Sequence, residues 1–334
     1  MPLVSSKEVL QKAMNEGYAV GAFNANNAEM VQAVVETAEE EKAPVILQIS
    51  QGAIKYAGLE FATAMVKTVA DLASVPVVLH LDHGTDFLQN VKCVRAGFTS
   101  LMYDGHAEEL GKNIEVTARI AEIAHAVGIP VEAELGTIPK IEDYESMLPA
   151  DYDYSTKLPA DVQAKVEALM ADPDQAAQFV EQTNADSVAA AVGSVHGMQR
   201  AVQPLNIARL DAIREKTGVP LVLHGGSGVI CARKDAEELG IKLEDHEGTI
   251  EDAIKHGMSK VNIATELSLE FLGGIKDALA KDPNQKDMRK ILLPGKERVK
   301  EKVRYYIRLF DSAGKGVVAG AQSGLSASEI KYAE

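Results

Sequence analysis

The chain has 334 residues, of which 46% are hydrophobic and 25% charged, a composition typical of a folded globular protein with one large domain or two ordinary ones. Its formal net charge of −15 argues against non-specific nucleic-acid binding, which depends on basic surface. No run of about 18 apolar residues is present, so no membrane span is predicted. We therefore expect neither a nucleic acid nor a membrane as a partner.

The N-terminal sequence MPLVSSKEVLQKAMNEG is polar and helix-like and has no signal-peptide core, so nothing in it suggests export. The two cysteines, Cys93 and Cys231, have neither a metal-type spacing nor a disulfide framework. Such cysteine usage suits a reducing compartment. We expect a cytoplasmic protein.

Eight short apolar runs follow one another along the chain at fairly regular intervals. Most are apolar throughout rather than alternating, as expected for strands of a parallel sheet that helices cover. The runs span residues 18–25, 43–50, 75–82, 98–104, 129–136, 186–193, 219–226 and 259–266.

The segments between these runs have the apolar spacing of amphipathic helices. AEMVQAVVETAEEEK, for example, places apolar residues at i, i+3 and i+4, and FATAMVKTVADLA and KNIEVTARIAEIAHAV are similar. Eight strand–helix units in about 270 residues predict an α/β fold of the (β/α)8 TIM-barrel type rather than an open doubly wound sheet. We expect residues 1–334 to form a single barrel domain with a C-terminal helical extension from about residue 284.

Two connections are too long for a simple crossover. For residues 137–185 we expect a mobile acidic loop, a short helix and then the covering helix, and residues 227–248 form a second extended connection. Both follow the C-terminal end of a strand, where barrel enzymes keep their active-site loops.

Ionisable side chains gather where the predicted strands end. Three runs finish in a histidine followed by glycine, in HLDHG, GSVHG and LVLHGG, and carboxylates end three runs. Because the strand ends of a barrel meet at one mouth, these groups are expected to form a ring there, and three imidazoles with open positions are typical of a catalytic metal site. The residues of this ring are His83, His196, His224, Asp82, Asp104 and Glu134.

The other histidines carry no such signal. His80 lies two residues before Asp82, deeper in the strand, and we expect it to be buried and structural. His106 follows the fourth strand and could line the mouth, but we favour a loop role. His125, His246 and His256 fall in helical or connecting segments.

Glycine-rich turns after the later strands indicate phosphate binding. GGSG at 225–228 and GSVHG at 193–197 supply small residues, and VNIATE offers Asn262 and Thr265 at the end of the eighth run. Barrels often bind phosphate through the loops after strands seven and eight. Arg200, four residues after His196, is a candidate cation for the same phosphate.

A metal beside a phosphate site predicts polarisation of a carbonyl or hydroxyl oxygen on a phosphorylated substrate. Asp82 is adjacent to the candidate ligand His83 and could move a proton at the reacting centre, and the loop after the fifth run offers Glu142, Asp143 and Glu145 as further bases. No lysine ends a strand, since Lys260 begins the eighth run, so a Schiff-base nucleophile has no good position.

Taken together, these motifs resemble the class II, zinc-dependent fructose-bisphosphate aldolases. AFNANN near the start and RLFDSAGKG near the end also fit, so the likeness covers nearly the whole chain in order. The motifs that carry it are HLDHG (80–84), VEAELG (131–136), GSVHG (193–197), LVLHGGSG (221–228) and VNIATE (261–266).

The resemblance implies a TIM barrel whose bivalent metal stabilises an enediolate of dihydroxyacetone phosphate. It implies that Asp82 is the acid/base for the second substrate half and that Glu142 is the nearest match to the loop base that abstracts a proton. It also implies a monovalent cation, Na⁺ or K⁺, near the phosphate, and a homodimer or homotetramer. By the same resemblance the zinc ligands are His83, His196 and His224, the neighbouring or second-metal carboxylates are Asp104 and Glu134, and the substrate contacts are Asn24, Ser50, Gly197, Gly225, Ser227, Asn262 and Thr265.

The sequence departs from the commonest family pattern in three places. Ala264 stands where many members have an aspartate that contacts a substrate hydroxyl, and tagatose-bisphosphate aldolases are similar to this chain there. Arg200 replaces a lysine, which keeps the charge but changes the geometry. The stretch after Lys140 is longer than usual. These departures leave fructose 1,6-bisphosphate as the expected substrate and tagatose 1,6-bisphosphate as the alternative.

Two other functions remain open from the residues alone. A metal-dependent hydrolase on a barrel usually carries an HxH pair on its first strand, and AFNAN has none. A barrel kept as a non-catalytic scaffold would have lost a ligand or a proton carrier, whereas this sequence retains the whole set.

Overall fold

The computed structural model of the chain describes residues 3–153, 156–197 and 203–316. Eight strands form one parallel sheet, and two short strands, β7 and β9, pair antiparallel outside it. The strands are β1 Val20–Asn24, β2 Val45–Ser50, β3 Val77–Asp82, β4 Leu101–Tyr103, β5 Val131–Leu135, β6 Ser187–Ala190, β7 Leu205–Asn206, β8 Leu221–Leu223, β9 Glu247–Gly248 and β10 Met258–Ile263.

The large sheet curls into a nearly closed barrel. Its strand order is β3-β2-β1-β10-β8-β6-β5-β4, and the two edge strands meet through parallel bridges between His80 and Ser100 and between Gly84 and Tyr103. Seven of the eight sheet strands lie inside one of the eight apolar runs, and β10 begins one residue before the eighth run, so the predicted (β/α)8 barrel is confirmed.

Helices cover the outside of the barrel, as the apolar spacing predicts. A 3-10 helix, Ile141–Met147, adds to them. The α-helices are α1 Ser6–Glu16, α2 Ala28–Glu41, α3 Gln51–Ala57, α4 Leu59–Leu72, α5 Phe87–Ala96, α6 Leu110–His125, α7 Ala160–Ala168, α8 Pro173–Thr183, α9 Ile207–Thr217, α10 Arg233–Glu238, α11 Ile250–Lys255, α12 Thr265–Lys281 and α13 Met288–Leu309.

Helix α2 shows how the sequence sets these elements. The Asn27 side chain accepts a hydrogen bond from the Met30 N–H and caps the first turn, which satisfies one of the free donors of a helix start. Met30, Val34 and Ala38 recur at the spacing of one helix face and are buried against the sheet. The glutamates at its end accept hydrogen bonds from Ser74 and Val75 or pair with basic residues of α13.

Helix α1 packs against the N-terminal end of the barrel. Val9, Leu10 and Ala13 form a separate apolar cluster with residues near the starts of the first three strands, including Val20 and Val78. This packing leaves the opposite, C-terminal end of the barrel for the polar residues that end the strands.

The long connection after β5 contains the expected acidic stretch, followed by a short helix, α7, and the covering helix, α8. Its acidic stretch forms the 3-10 helix, and Ile141 and Tyr144 from that helix pack with Val162 and Val166 of α7 and with Val195. Apolar residues interspersed among the acidic ones therefore fold this stretch onto the barrel mouth. These contacts join residues far apart in the sequence, so the sequence alone did not reveal that the acidic stretch is helical and packed.

At the other end of the chain, α13 packs against α12 and α2. Ion pairs join α13 to α2, among them Lys296 with Glu36 and Lys300 with Glu40. Within the described parts of the chain, no helix is both long enough and apolar enough to pass through a membrane.

Candidate active site

A cleft opens at the C-terminal ends of the barrel strands, where barrel enzymes bind their substrates. Polar residues from five strands or the turns that follow them reach it. The cleft is lined by Asn24, Asp82, His83, His196, Gly197, His224, Gly225, Gly226, Ser227, Asn262, Ala264 and Thr265.

Three imidazoles meet on one side of this cleft. The ring centroids of His83 and His224 are 4.7 Å apart, those of His83 and His196 5.3 Å, and those of His196 and His224 6.2 Å. One nitrogen of each ring can serve as a metal ligand, and these three nitrogens lie within 4.8 Å of one another. This spacing suits three ligands around one metal ion.

The remaining nitrogen of each ring is already occupied. Nδ1 of His83 lies 2.7 Å from Asp104 Oδ2, Nδ1 of His196 lies 3.2 Å from the Ile138 carbonyl oxygen, and Nε2 of His224 lies 3.0 Å from Glu132 Oε1. Metal-binding histidines are typically oriented in this way, with one ring N–H donated to a carboxylate or carbonyl. Nδ1 of His224 is buried and has no hydrogen-bond partner among the described residues. The donor set therefore fits a divalent metal ion of the zinc type.

A strained turn places His83. Its φ of 47° lies in the left-handed region that a side chain seldom adopts. The turn is supported by the Gly84 carbonyl, which accepts hydrogen bonds from the Asp104 N–H at 3.1 Å and the Asn90 amide at 3.4 Å. Burial opposes protonation of the ring, but the charge of Asp82 and the hydrogen bond to Asp104 outweigh it and raise the pKa of His83 to about 10.

The other two histidines are held neutral. Burial and the charge of His83 lower the pKa of His196 to about 4, and burial followed by the charges of His83 and Lys260 lowers the pKa of His224 well below its usual value. Neutral imidazole is the form that binds a metal.

The carboxylates Asp104 and Glu134 border this triad. An oxygen from each lies within 4.8 Å of a nitrogen of His83, and Glu134 Oε2 is 3.4 Å from Nδ1 of His224. Burial, with the charge of Asp104, raises the pKa of Glu134 to about 8. Burial alone would raise the pKa of Asp104, but hydrogen bonds from His106 and His83 outweigh it and hold this pKa well below its usual range. Asp104 thus orients His83, and both carboxylates lie close enough to join a metal site.

Asp82 ends β3 beside the histidines. Its Oδ2 accepts a hydrogen bond of 2.7 Å from the Asn24 amide, whose own oxygen accepts one of 2.9 Å from Gln48. The other oxygen, Oδ1, is buried at 3.9 Å from Nε2 of His83 and has no hydrogen-bond partner among the described residues. The carboxylate is therefore fixed at one oxygen and free at the other, which suits proton transfer.

Glu142 reaches the mouth from the connection after β5. The backbone N–H of His196 donates to the Pro139 carbonyl at 2.8 Å, and the backbone N–H of Ile141 donates to the His196 carbonyl at 3.0 Å. Glu142 follows directly, and its carboxylate oxygens lie about 3.5 Å from where a side chain on Gly197 would begin. The exposed carboxylate of Glu142 is thus brought beside a candidate metal ligand.

The opposite wall has the features of an anion site. Gly225 has a φ of 63°, and a Cβ on Gly226 would come within 2.8 Å of the Asn262 carbonyl oxygen, so only glycine fits this turn against the end of β10. The hydroxyl of Ser227 is buried and has no hydrogen-bond partner among the described residues. No described side chain caps α12, which starts at Thr265 in the cleft, and a free helix N-terminus attracts anions.

Two residues that were expected to contact the substrate are not among the described residues that line the cleft. Ser50 is the register partner of Asp82 on the neighbouring strand, but its hydroxyl accepts a hydrogen bond from the Ala53 N–H and caps α3, and it is not among the cleft-lining residues. Arg200 lies outside the described residues.

Sequence reasoning missed two residues of this network. Glu132 and Lys260 pair inside the barrel. His106 lies in the loop after β4, as expected, and donates to Asp104 at 2.6 Å. The alternation of side chains along a strand could have revealed both missed residues, because Glu132 lies two residues before Glu134, and Lys260 two before Asn262, on the same face. His80, as expected, is fully buried.

The barrel and the histidine triad define a metal-dependent enzyme of the TIM-barrel class, and comparisons with known proteins agree. Residues 4–315 match the family model "Fructose-bisphosphate aldolase class-II". The fructose-bisphosphate aldolase of Thermus caldophilus is 41% identical over 320 residues, 94% of this chain and 99% of the relative, and that of Geobacillus stearothermophilus is 39% identical over 318 residues, with the same coverage. The crystal structure of the YdjI aldolase from Escherichia coli K12 is similar with a TM-score of 0.75 and 32% identity, covering 94% of this chain and 100% of that one.

The chain therefore belongs to the class II fructose-bisphosphate aldolase family. It is a lyase of a family that depends on a divalent metal, and the resemblance read from its motifs is confirmed.

Proposed function

We propose that this protein reversibly cleaves fructose 1,6-bisphosphate to dihydroxyacetone phosphate and glyceraldehyde 3-phosphate, with Zn²⁺ held by His83, His196 and His224. The observation that carries the proposal is the shared arrangement of the three imidazoles. One nitrogen of each contacts a carboxylate or carbonyl oxygen, and the other faces the cleft within 4.8 Å of its neighbours. A divalent ion bound there supplies a Lewis acid that polarises a substrate oxygen.

Asp82 and Glu142 are the proposed proton carriers. Cleavage of the C3–C4 bond requires loss of the C4 hydroxyl proton. Asp82 lines the cleft, and its Oδ1, which has no hydrogen-bond partner among the described residues, is the proposed acceptor. The electron pair of the broken bond stays with the dihydroxyacetone phosphate half, which then needs a proton at C3. Glu142, beside Gly197 at the mouth, is the proposed donor, and in the synthetic direction the same carboxylate removes that proton.

The glycine turns and the start of α12 are the proposed phosphate site. Ser227 offers a buried hydroxyl without a partner among the described residues, and Asn262 a buried side chain. Thr265 begins the uncapped helix. The N–H groups of that first turn have no intrahelical acceptor and suit a doubly charged phosphate. Gly197 and Gly225, with Asn24, would complete the substrate contacts, and a Na⁺ or K⁺ ion near the phosphate is part of the same proposal.

A lysine Schiff base has no support in this barrel. Of the eight barrel strands described, only β10 carries a lysine, and Lys260 is fully buried and ion-paired with Glu132 at 2.9 Å. We expect EDTA to abolish activity, Zn²⁺ to restore it, and borohydride with substrate to leave the enzyme active. Borohydride trapping of a lysine adduct would contradict the proposal.

The decisive experiment compares fructose and tagatose 1,6-bisphosphate in a coupled cleavage assay on zinc-loaded protein. The relatives described above that are named by substrate are fructose-bisphosphate aldolases, which favours the fructose sugar over the tagatose alternative. We expect kcat/KM to favour fructose bisphosphate by about tenfold or more, or about 1.4 kcal/mol of transition-state discrimination. Equal or reversed preference would indicate that the enzyme selects the C4 hydroxyl configuration less strictly, in line with Ala264, which lines the cleft, standing in place of an aspartate.

We further propose a cytoplasmic homodimer or homotetramer that works in glycolysis or gluconeogenesis. Sedimentation of the purified protein tests the oligomeric state, and metal analysis of protein purified without added metal tests whether zinc is the ion carried.

A further inference from the structure

His224 contacts a buried carboxylate, that of Glu132, through the ring nitrogen that does not face the cleft. The ring is fully buried, and its Nε2 lies 3.0 Å from Oε1 of Glu132, which is 2% exposed. Both oxygens of Glu132 also contact the Lys260 ammonium, which only donates, so the carboxylate is the acceptor for the ring and the His224 N–H lies on Nε2. Nδ1, the nitrogen that faces the cleft, is then left with its lone pair.

The charge of Glu132 is balanced from the other side of the barrel interior. Lys260 on β10 is fully buried, and its Nζ lies 2.9 Å from Oε2 and 3.1 Å from Oε1 of Glu132. Removing two charges from water is costly, and such a pair is often no more stabilising than apolar residues of the same size. Stability alone therefore gives a weak reason for a buried ion pair at this place in the barrel.

We propose that Glu132 and Lys260 are positioning residues, which fix the tautomer and the orientation of His224 so that Nδ1 points at the metal. This inference rests on the proposed metal site. Lys260 holds the carboxylate in one direction through its contacts with both oxygens, and one of those oxygens accepts the Nε2–H of His224. Without an acceptor behind the ring, the proton can occupy Nδ1 instead and block metal binding, or the ring can turn.

Two double variants separate this role from simple filling of the barrel. E132Q/K260M removes both charges but keeps a carbonyl acceptor for the Nε2 proton, whereas E132L/K260M removes both charges and the acceptor with little change in volume. Neither leaves an unpaired buried charge. The affinity for Zn²⁺ is measured by competition with a chromophoric chelator, and the absorption spectrum of the Co²⁺-loaded protein reports the ligand geometry.

We expect E132L/K260M to bind Zn²⁺ about 10- to 100-fold more weakly than E132Q/K260M, the range found when an outer partner of a metal ligand is lost. The Co²⁺ spectrum should change in the same variant. K296M/E36Q, which removes an ion pair of 2.6 Å between α13 and α2, is the control and should bind Zn²⁺ like the wild type. Equal Zn²⁺ affinity in the two barrel variants would overturn the inference, whatever their thermal stability.

A measurement on the wild type keeps the test independent of folding. The ¹⁵N chemical shifts of the His224 ring, recorded at neutral pH without metal, should show a protonated Nε2 and an unprotonated Nδ1. The reverse assignment would overturn the inference. If the wild type binds no Zn²⁺ at all, the proposed function fails instead, and the ring shifts still report which nitrogen of His224 carries the proton.

Discussion

At the scale of single residues, the sharpest prediction concerns the free oxygen of Asp82. Asp82→Asn keeps the size of the side chain and can keep the contact with Asn24, but it removes the proton acceptor at Oδ1. We expect kcat to fall about 10²- to 10⁴-fold, the usual contribution of a positioned acid or base, while Zn²⁺ binding persists. Steady-state kinetics and metal analysis of the same preparation check this.

The matched control is Asp86→Asn. Asp86 caps α5 by accepting hydrogen bonds from the N–H groups of Leu88 and Gln89, and asparagine caps a helix about as well as aspartate. It should behave like the wild type. Full activity in the Asp82 variant would remove this residue from the proposed mechanism.

Glu142 allows a second test at the same scale. Glu142→Gln should lower kcat by about 10²-fold or more and should slow exchange with solvent of the hydroxymethyl proton of dihydroxyacetone phosphate, on the carbon that is C3 of the hexose. Glu145, three residues further along the same 3-10 helix, is exposed like Glu142, so Glu145→Gln is the control and should leave exchange unchanged. Loss of exchange in the Glu145 variant instead would move the base to that position.

At the scale of elements, the small apolar cluster of Ile141, Tyr144, Leu158, Val162, Val166 and Val195 supports the candidate base. Val162 is fully buried there, and Val162→Ala removes two methyl groups at a cost of about 1–2 kcal/mol at roughly 0.8 kcal/mol per buried carbon. Because this cluster is separate from the main core, the loss should loosen residues 141–166 rather than unfold the barrel.

We therefore expect Val162→Ala to lower kcat and to speed amide hydrogen exchange in residues 141–166, with exchange in the barrel strands unchanged. Val127→Ala, at a largely exposed site at the end of α6, is the control. Faster exchange throughout the chain would show that the cluster belongs to the global core.

Asp186 joins three elements at the N-terminal end of the barrel, and this gives a pH dependence. Its oxygens accept from Lys7 of α1 at 2.9 Å, from the Val131 N–H of β5 at 2.9 Å and from His125 of α6 at 2.6 Å. Burial alone would raise the pKa of Asp186, but these bonds outweigh it and lower the pKa below its usual 3.8. The stabilisation is thus complete above pH of about 4 and is lost as pH falls through the lower folded-state pKa.

Asp186→Asn should therefore lower the free energy of unfolding by about 1–3 kcal/mol at pH 7, the range for hydrogen bonds to a charged group. The difference from the wild type should shrink as the pH falls below about 4. Urea unfolding at a series of pH values measures it. Asp174→Asn removes an exposed partner of Lys216 and should cost less than about 1 kcal/mol. A pH-independent cost at Asp186 would mean that its charge contributes nothing.

At the scale of the whole molecule, the sequence was informative where local pattern and barrel geometry coincide. Eight apolar runs predicted eight strands, and convergence of the strand ends predicted that His83, His196 and His224 would meet. What it did not reveal depends on contacts across the barrel or between distant segments. The pairing of Glu132 with Lys260 needs the closed barrel, and the position of Glu142 needs apolar packing between residues 141–166 and Val195.

The effect of metal binding on thermal stability distinguishes an enzyme from a barrel kept as a scaffold. A metal that binds only the folded state stabilises it by about 2.7 kcal/mol when its free concentration is 100 times its Kd. Calorimetry should therefore show a higher Tm for zinc-loaded than for EDTA-treated protein. His196→Ala removes one proposed ligand and should shrink the difference, whereas His246→Ala, at an exposed loop position, should leave it intact. Equal stability with and without zinc, and no metal retained, would favour the scaffold, because the three imidazoles would then meet without binding anything.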